Sequence, residues 1–540
     1  MTSLWLAFIV VVACSDSDVG TEYQVPIDTA STSTSTSTSS STEVPHLVII
    51  GDGSALPTVT AAPGTTNETA ALELADYLSR ITGQLIAVSE TVPEEGVIFH
   101  VGTTNLVQKQ VDLQKVYADG FVIKHLSLGK RDHVILAGQT EHASQWAVER
   151  FLKDYGGVRW LFPDPVYGEH VPVSSTVTIP VGTDVTHEPD YTDRGNLSMY
   201  YFNSGGDQLR GAPNSSNQYG VHALAYIFGE SEFAAHPEWF AEFDGERQWW
   251  SYGNGWQICT ANTETIAYAI DFCISLFTEN PELGICSIGQ NDGSGHCTDE
   301  LCTAQMHAAD PAYSQSELWW LWVNEVAAGV AAHEGGVFAD RWIEAMSYDW
   351  STELPRFALE PNVAITKTIV LGSDLDAAEA WLEPPTSAAS VNLYSYPWGN
   401  SFLGFRHYPT AMADFLKWGK NTLNANGHVA ECGPGDWTFD GPKYYYTQAL
   451  QWDVNADPQL LMEEFCDASY GSASEEMFAF WQRLEDVWEA RGASTTYGEE
   501  PRMLFYQWIG WATDSYVPPN DELRTYTLAD IEDLDARIAS

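Results

Sequence analysis

The stretch IEAMSYDW, residues 343–350, sets an apolar strand pattern directly before a Tyr-Asp-Trp turn, and two other stretches repeat that arrangement. GICSIGQND, residues 284–292, runs into Gln290, Asn291 and Asp292, and HVAECGPGDW, residues 428–437, runs into Glu431 and then Asp436 and Trp437. Short apolar runs ending in polar residues and separated by amphipathic helical patterns point to parallel β/α units. Working outward from these three, strands are expected at 194–202, 222–228, 256–259, 284–289, 343–348, 363–370, 391–396 and 428–432. Helical patterns at 264–277 and 317–332 lie between them. Eight units within residues 190–440 predict a (β/α)8 TIM-like barrel, whose functional residues gather at the carboxyl ends of the strands. The expected class is therefore α/β, with helices over 441–540 closing the chain.

That rule turns scattered residues into one constellation. Asp292, Tyr348, Asp349, Trp398, Glu431 and Trp437 all fall at or just beyond strand ends. Carboxylates and aromatic faces at one mouth are what cleavage of a glycosidic bond requires: an acid to protonate the leaving oxygen, a second carboxylate opposite, and rings to stack on sugars. Asp292 is the expected general acid, with Asp349 as the neighbour that raises its pKa, and Glu431 is the expected second carboxylate. Arg194 and His222 are expected either to clamp a sugar or carboxylate or, respectively, to pair with Asp193 and to hydrogen-bond within the core, and Tyr348, Trp398 and Trp437 to offer stacking faces. The rival reading is a surface carbohydrate-binding protein without chemistry.

Upstream, HLVIIGDG at 46–53 reads as a buried strand entering a turn, with too few glycines for a dinucleotide site. A helix from Thr65 to Gly83 is expected from Ala71, Leu74, Ala75, Leu78 and Ile81, with Thr65 and Glu68 as a capping box. A second runs from Glu141 to Tyr155 and stops at Gly156-Gly157. Together with strands at 85–88, 97–101, 120–125 and 133–137, these make a small α/β domain over 46–185 that carries no nucleophile or phosphate loop.

The first residues, MTSLWLAFIVVVACS, hold an apolar run too short to span a bilayer and end in Cys14. Residues 1–14 are expected to be a lipoprotein signal peptide with Cys14 as the lipidated residue. Residues 15–45, rich in Ser and Thr, are expected to be a tether with nothing to bury. The chain would then be exported and anchored to the cell envelope through lipid alone. Asp and Glu outnumber Lys and Arg by 74 to 24, and the net charge of −50 disfavours nucleic acid as a partner. A carbohydrate is the expected partner, no cofactor is expected, and the oligomeric state is not encoded in any recognisable pattern.

Of 8 cysteines, Cys14 is assigned to lipid, which leaves an odd number and so at least one unpaired thiol. Cys297 and Cys302 have His296 and His307 nearby, but their spacing is not one of the standard zinc-finger spacings. A local disulfide, with no metal, is the expectation there.

Two stretches carry a resemblance to known enzymes. AALELADYLSRITGQ from Ala70 and WAVERFLKDYGGVRWLFPDPVYGEHVP from Trp146 are similar to the noncatalytic α/β domain that precedes the barrel in β-hexosaminidases and α-glucuronidases. HPEWFAEFDGERQWW, QICTANTE, SIGQNDGSGHC, AMSYDWSTELPRFALEPNVAI and QALQWDVNADPQLLMEEFCDASYG occur in the order of a family of secreted bacterial proteins catalogued as domain of unknown function 4838. The resemblance covers about 194–488 and implies carbohydrate hydrolysis. In hexosaminidases the fourth strand ends in Asp-Glu, with the Glu as acid; Asn291-Asp292 stands there in this chain, so the resemblance implies Asp292 as the acid and Asn291 as the residue that positions a sugar hydroxyl, and it does not imply an acetamido-assisted mechanism. The family's C-x-C-x-x-C pattern after the Asn-Asp pair is reduced here to Cys297 and Cys302.

Overall fold

The computed structural model describes residues 44–162, 168–196, 222–250, 255–281, 283–293, 297–305, 311–369, 373–395, 397, 407–430, 437–491 and 527–539. The amino-terminal part is a mixed six-stranded sheet formed by β1 (Thr58–Ala61), β2 (Ala87–Val88), β3 (Gly96–Val101), β4 (Phe121–Leu128), β5 (Arg131–Gly138) and β6 (Asp184–His187). The β4–β5 pair is antiparallel, whereas β3 runs parallel to both β1 and β5. Helices α1 (Thr65–Thr82) and α2 (Glu141–Gly156) pack on it, and their apolar faces join Phe99, Ile123 and Leu136 in one core. β1 escaped the sequence reading because TVTA is short and half polar.

Both helices stop where glycine was expected to stop them. Gly83 and Gly157 take left-handed backbone angles, φ 68° and 72°, which L side chains adopt only at a cost. The start of α1 departs from expectation: no Thr65–Glu68 box forms, Gly64 is the cap residue, and Glu141 of α2 accepts the Thr66 amide at 3.1 Å. A distant carboxylate serves the orphan donor that a local one was expected to serve.

The second part is built on a six-stranded, all-parallel sheet. Its strands are β7 (Asp193–Asn196), β8 (Ile285–Ser287), β9 (Trp342–Ser347), β10 (Val363–Thr368), β11 (Ser390–Ser395) and β12 (Gly427–Ala430). The order across the sheet is β7-β12-β11-β10-β9-β8, so the first strand lies beside the last. Pairing of first with last is how a barrel closes on itself. The two remaining expected strands do not form: 222–228 contains a short helix, α3 (Leu224–Ile227), and 256–259 makes a single antiparallel bridge, Ile258 to Phe240. Among the described residues the sheet is therefore six strands of a barrel-like arrangement, not a complete (β/α)8 barrel.

Helices α4 (Thr263–Glu279) and α5 (Pro311–Ala332) lie between the early strands, and the Cys273–Cys286 disulfide ties α4 to β8. After β12 the chain is helical, with α6 (Trp437–Trp452), α7 (Pro458–Tyr470) and α8 (Ser474–Arg491). Asp457 caps α7 ahead of Pro458, accepting the amides of Gln459 and Leu460, as the sequence implied. Tyr446, Leu450, Phe465, Trp481 and Leu484 from these helices share the core of the parallel sheet. No described helix is long and apolar enough to cross a membrane.

Candidate functional site

The carboxyl ends of adjacent strands β8 and β9 bring four of the expected site residues together. The Tyr348 hydroxyl donates to Asp292 Oδ1 at 3.0 Å. His222 sets its Nδ1 2.9 Å from the Gln290 carbonyl oxygen, and its ring centroid lies 6.1 Å from that of Tyr348. With Nδ1–H donated to a carbonyl, the lone pair sits on Nε2. Asp349 is close enough to Asp292 for the two charges to interact.

The turn carrying Asp349 is held from beneath. Ser351 Oγ accepts the Tyr348 amide at 3.1 Å, and Gln290 Nε2 reaches both the Tyr348 carbonyl at 3.0 Å and Ser351 Oγ at 2.6 Å. Asp349 itself has φ 49°, in the left-handed region. Aspartate tolerates that region better than most residues, at a cost of about 1 kcal/mol, and such strain collects where a side chain must be aimed. Its carboxyl is raised above the ordinary aspartate range, first by partial burial and then by the charge of Asp292, although the residue as a whole remains open to solvent.

The Asn291 side chain is buried, and its Nδ2 donates to the Trp256 carbonyl at 3.0 Å, which ties the strand end to the segment around Trp256, while its Oδ1 has no hydrogen-bond partner among the described residues. Gln257 completes that brace, its Nε2 bonding the carbonyls of Asn291 at 2.6 Å and Gly293 at 3.1 Å. Neither Gln257, Gln290 nor Ser351 was given a role from sequence, since bracing amides and hydroxyls leave no pattern of their own.

Arg194 is likewise engaged elsewhere. Only 2% exposed, it pairs with Asp119 of the amino-terminal part at 3.0 Å and donates to the Tyr191 carbonyl at 2.6 Å. Burial pushes the Asp119 carboxyl up and the Arg194 guanidinium down, each against the pull of its partner. The expected substrate clamp is thus a joint between the two parts of the chain. Trp398 and Glu431 lie outside the described residues, and Trp437 opens α6 with its side chain outside them as well.

The cysteines also depart from expectation. Cys297 and Cys302 form no disulfide; both are buried free thiols, gathered with Cys259 and Asp299.

Comparison with known proteins follows this geometry. Residues 166–380 match the family described as domain of unknown function (DUF4838). Residues 53–147 match the glycosyl hydrolase family 67 N-terminus, in agreement with the resemblance read from Ala70 onward. The matched span 166–380 contains His222, Asp292, Tyr348 and Asp349, whereas Glu431 lies beyond it. No curated protein matches the sequence. Similar solved structures include BtGH115A, a family GH115 4-O-methyl-α-glucuronidase, at 10% identity and TM-score 0.46, covering 84% of this chain and 65% of that one. Another is a family 89 glycoside hydrolase from Clostridium perfringens in complex with PUGNAc, at 11% and 0.45, covering 88% and 58%. A GH20 β-N-acetylhexosaminidase from Streptomyces coelicolor A3(2) stands at 12% and 0.41, covering 85% and 95%.

Proposed function

We propose that the protein is a glycoside hydrolase in which Asp349 and Asp292 divide the work at the strand ends. The observation that carries this reading is the carboxylate pair itself, with one member raised and the other held by the Tyr348 hydroxyl. A raised, solvent-reachable carboxyl suits a general acid, which must be protonated when it meets the leaving oxygen. A carboxylate kept in place by a phenol suits stabilisation of the positive charge that develops on the sugar ring. Glu431 remains the proposed opposing carboxylate, at the end of the strand that closes the sheet order. Gln290, Ser351 and Gln257 brace the backbone that carries the site residues.

The substrate is proposed to be a poly- or oligosaccharide and the location the cell envelope, through lipid on Cys14. Cys14→Ser is expected to leave the protein unlipidated and to move it from the membrane fraction to the soluble fraction or stall its processing. An unchanged fractionation, with no labelled lipid on the wild type, would refute the anchor.

The acid assignment has a pH signature. Asp349 must carry its proton, so hydrolysis should fall as pH rises through its elevated pKa, and Asp349→Asn should lose that alkaline limb. The measurement is the pH dependence of reducing-end release on a glycan that the wild type cleaves. An identical alkaline limb in the variant would place the acid elsewhere.

A further inference from the structure

Beside the strand ends, Cys259, Cys297, Asp299 and Cys302 place their three Sγ atoms and a carboxylate oxygen within 4.8 Å of one another. All four residues are buried, with exposures of 1%, 6%, 8% and 2%. A tetrahedral zinc ion with Zn–S bonds of about 2.3 Å needs ligand atoms roughly 3.8 Å apart. Here Cys259 Sγ and Cys302 Sγ are 3.3 Å apart, and Cys259 Sγ lies 3.3 Å from Asp299 Oδ2. Small adjustments of χ angles about a common centre convert this packing into coordination.

We propose that these four residues bind one zinc ion, a structural site that pins the loop leading away from Asp292. Three further observations support it. The first is an outer shell of the kind that zinc sites require. Arg247 Nη2 holds Asp299 Oδ2 at 2.8 Å, the Cys302 amide holds Asp299 Oδ1 at 2.9 Å, and the Glu242 amide donates to Cys297 Sγ at 3.4 Å. Three thiolates and a carboxylate overcompensate a dication, and Arg247 reduces the excess.

The second is the poverty of apolar packing. Among the described residues the buried cluster at this corner consists of Ala241, Cys259, Ala261, Cys297 and Cys302, none of them large. It must nevertheless join three segments: the strand pair Glu242–Phe243 with Glu246–Arg247, the segment around Cys259, and the segment from Cys297 into the helix Glu300–Gln305 that carries Cys302. A metal supplies the cohesion that so small a core lacks. The third is arithmetic. Three mutually close thiols cannot all be used in disulfides, whereas a tetrahedral ion uses all three and the carboxylate. Soft thiolates select zinc over magnesium or calcium, and a crevice lined by Gln257, Thr260, Gln315 and Trp350 reaches Cys297 and Cys302 as an entry path.

The site brackets Asp292 on both sides. Cys259 lies two residues beyond Gln257, which straps the Asn291 and Gly293 carbonyls, and Cys297 follows Gly293 closely in the chain. The metal would hold this brace whether or not the barrel is a hydrolase. The asparagine–aspartate loop and its cysteines thereby become one structural unit.

The test is elemental analysis of the full chain purified without chelator, together with mass mapping of its cysteines under non-reducing conditions. About one zinc per chain is expected, with Cys259, Cys297 and Cys302 all alkylated once the metal is stripped under denaturing conditions. Arg247→Ala should weaken zinc affinity about 10- to 100-fold while the fold persists, whereas Cys466→Ser, at a buried thiol remote from the cluster, should leave zinc content unchanged. Because Cys297→Ser with Cys302→Ser could misfold, cobalt exchange into the wild type provides a second readout, in which thiolate-to-cobalt charge-transfer bands are expected. A Cys259–Cys302 disulfide with no metal, iron or copper in place of zinc, or cobalt binding without charge-transfer bands would overturn the proposal.

Discussion

Asp349→Asn is expected to lower turnover on a natural glycan by about 10²–10⁴ while leaving the chain at least as stable as the wild type. Both halves follow from one environment. Partial burial and the charge of Asp292 penalise the ionised Asp349 carboxylate, so its folded-state pKa lies above the unfolded value of about 3.9. As pH rises from acid, the unfolded chain therefore releases this proton first. Stability falls with pH across the window between the two values and stays lower above it. Asparagine is neutral, tolerates the same left-handed backbone, and removes that penalty. Catalysis responds in the opposite sense, because the amide cannot protonate a leaving oxygen. On an aryl glycoside with a good leaving group, which needs no protonation, the loss should be much smaller. Asp292→Asn should cost a comparable factor on both substrates, since charge stabilisation is needed whatever leaves. The check is turnover on the two substrate types alongside thermal unfolding. Equal losses on both substrates in Asp349→Asn would contradict the acid role.

Arg194→Leu is expected to destabilise the chain by about 3–5 kcal/mol, the usual cost of removing one member of a buried ion pair. The guanidinium lies beside the rings of Trp146 and Trp452, 5.9 and 5.3 Å from their centroids, while its charge meets Asp119. Trp146 and Asp119 belong to the amino-terminal part, and Trp452 to α6 behind the parallel sheet. Leucine would replace part of the stacking volume but would strand the Asp119 carboxylate, which burial already pushes up. Adding Asp119→Leu should therefore restore part of the lost stability, as it would not if the residues acted separately. The measurement is chemical denaturation of the two single variants and the double. An unchanged midpoint in Arg194→Leu would mean that the joint contributes nothing.

The sheet was legible where pattern and length agreed. IEAMSYDW and GICSIGQND each pair an apolar run with a polar stop, and β8 and β9 form there with Asp292 and Asp349 at their ends. HALAYIF at 222–228 misled because so short an apolar run reads equally as strand or helix turn, and its neighbours chose the helix. The capping of α1 by Glu141 and the pairing of Arg194 with Asp119 join residues 75 apart in each case, and no local pattern encodes such contacts. The cysteines illustrate a combinatorial limit: spacing could propose Cys297 with Cys302, but only the fold brings Cys259 to them and sends Cys273 to Cys286.

The most direct measurement is reducing-end release across a panel of plant, algal and microbial glycans by the wild type and Asp292→Asn, with both confirmed folded by circular dichroism and both assayed for glycan binding. The account predicts release from at least one glycan by the wild type, loss of about 10²–10⁴ in that rate in the variant, and retained binding in both. Glycan binding with no release by the wild type, or full release by Asp292→Asn, would contradict it.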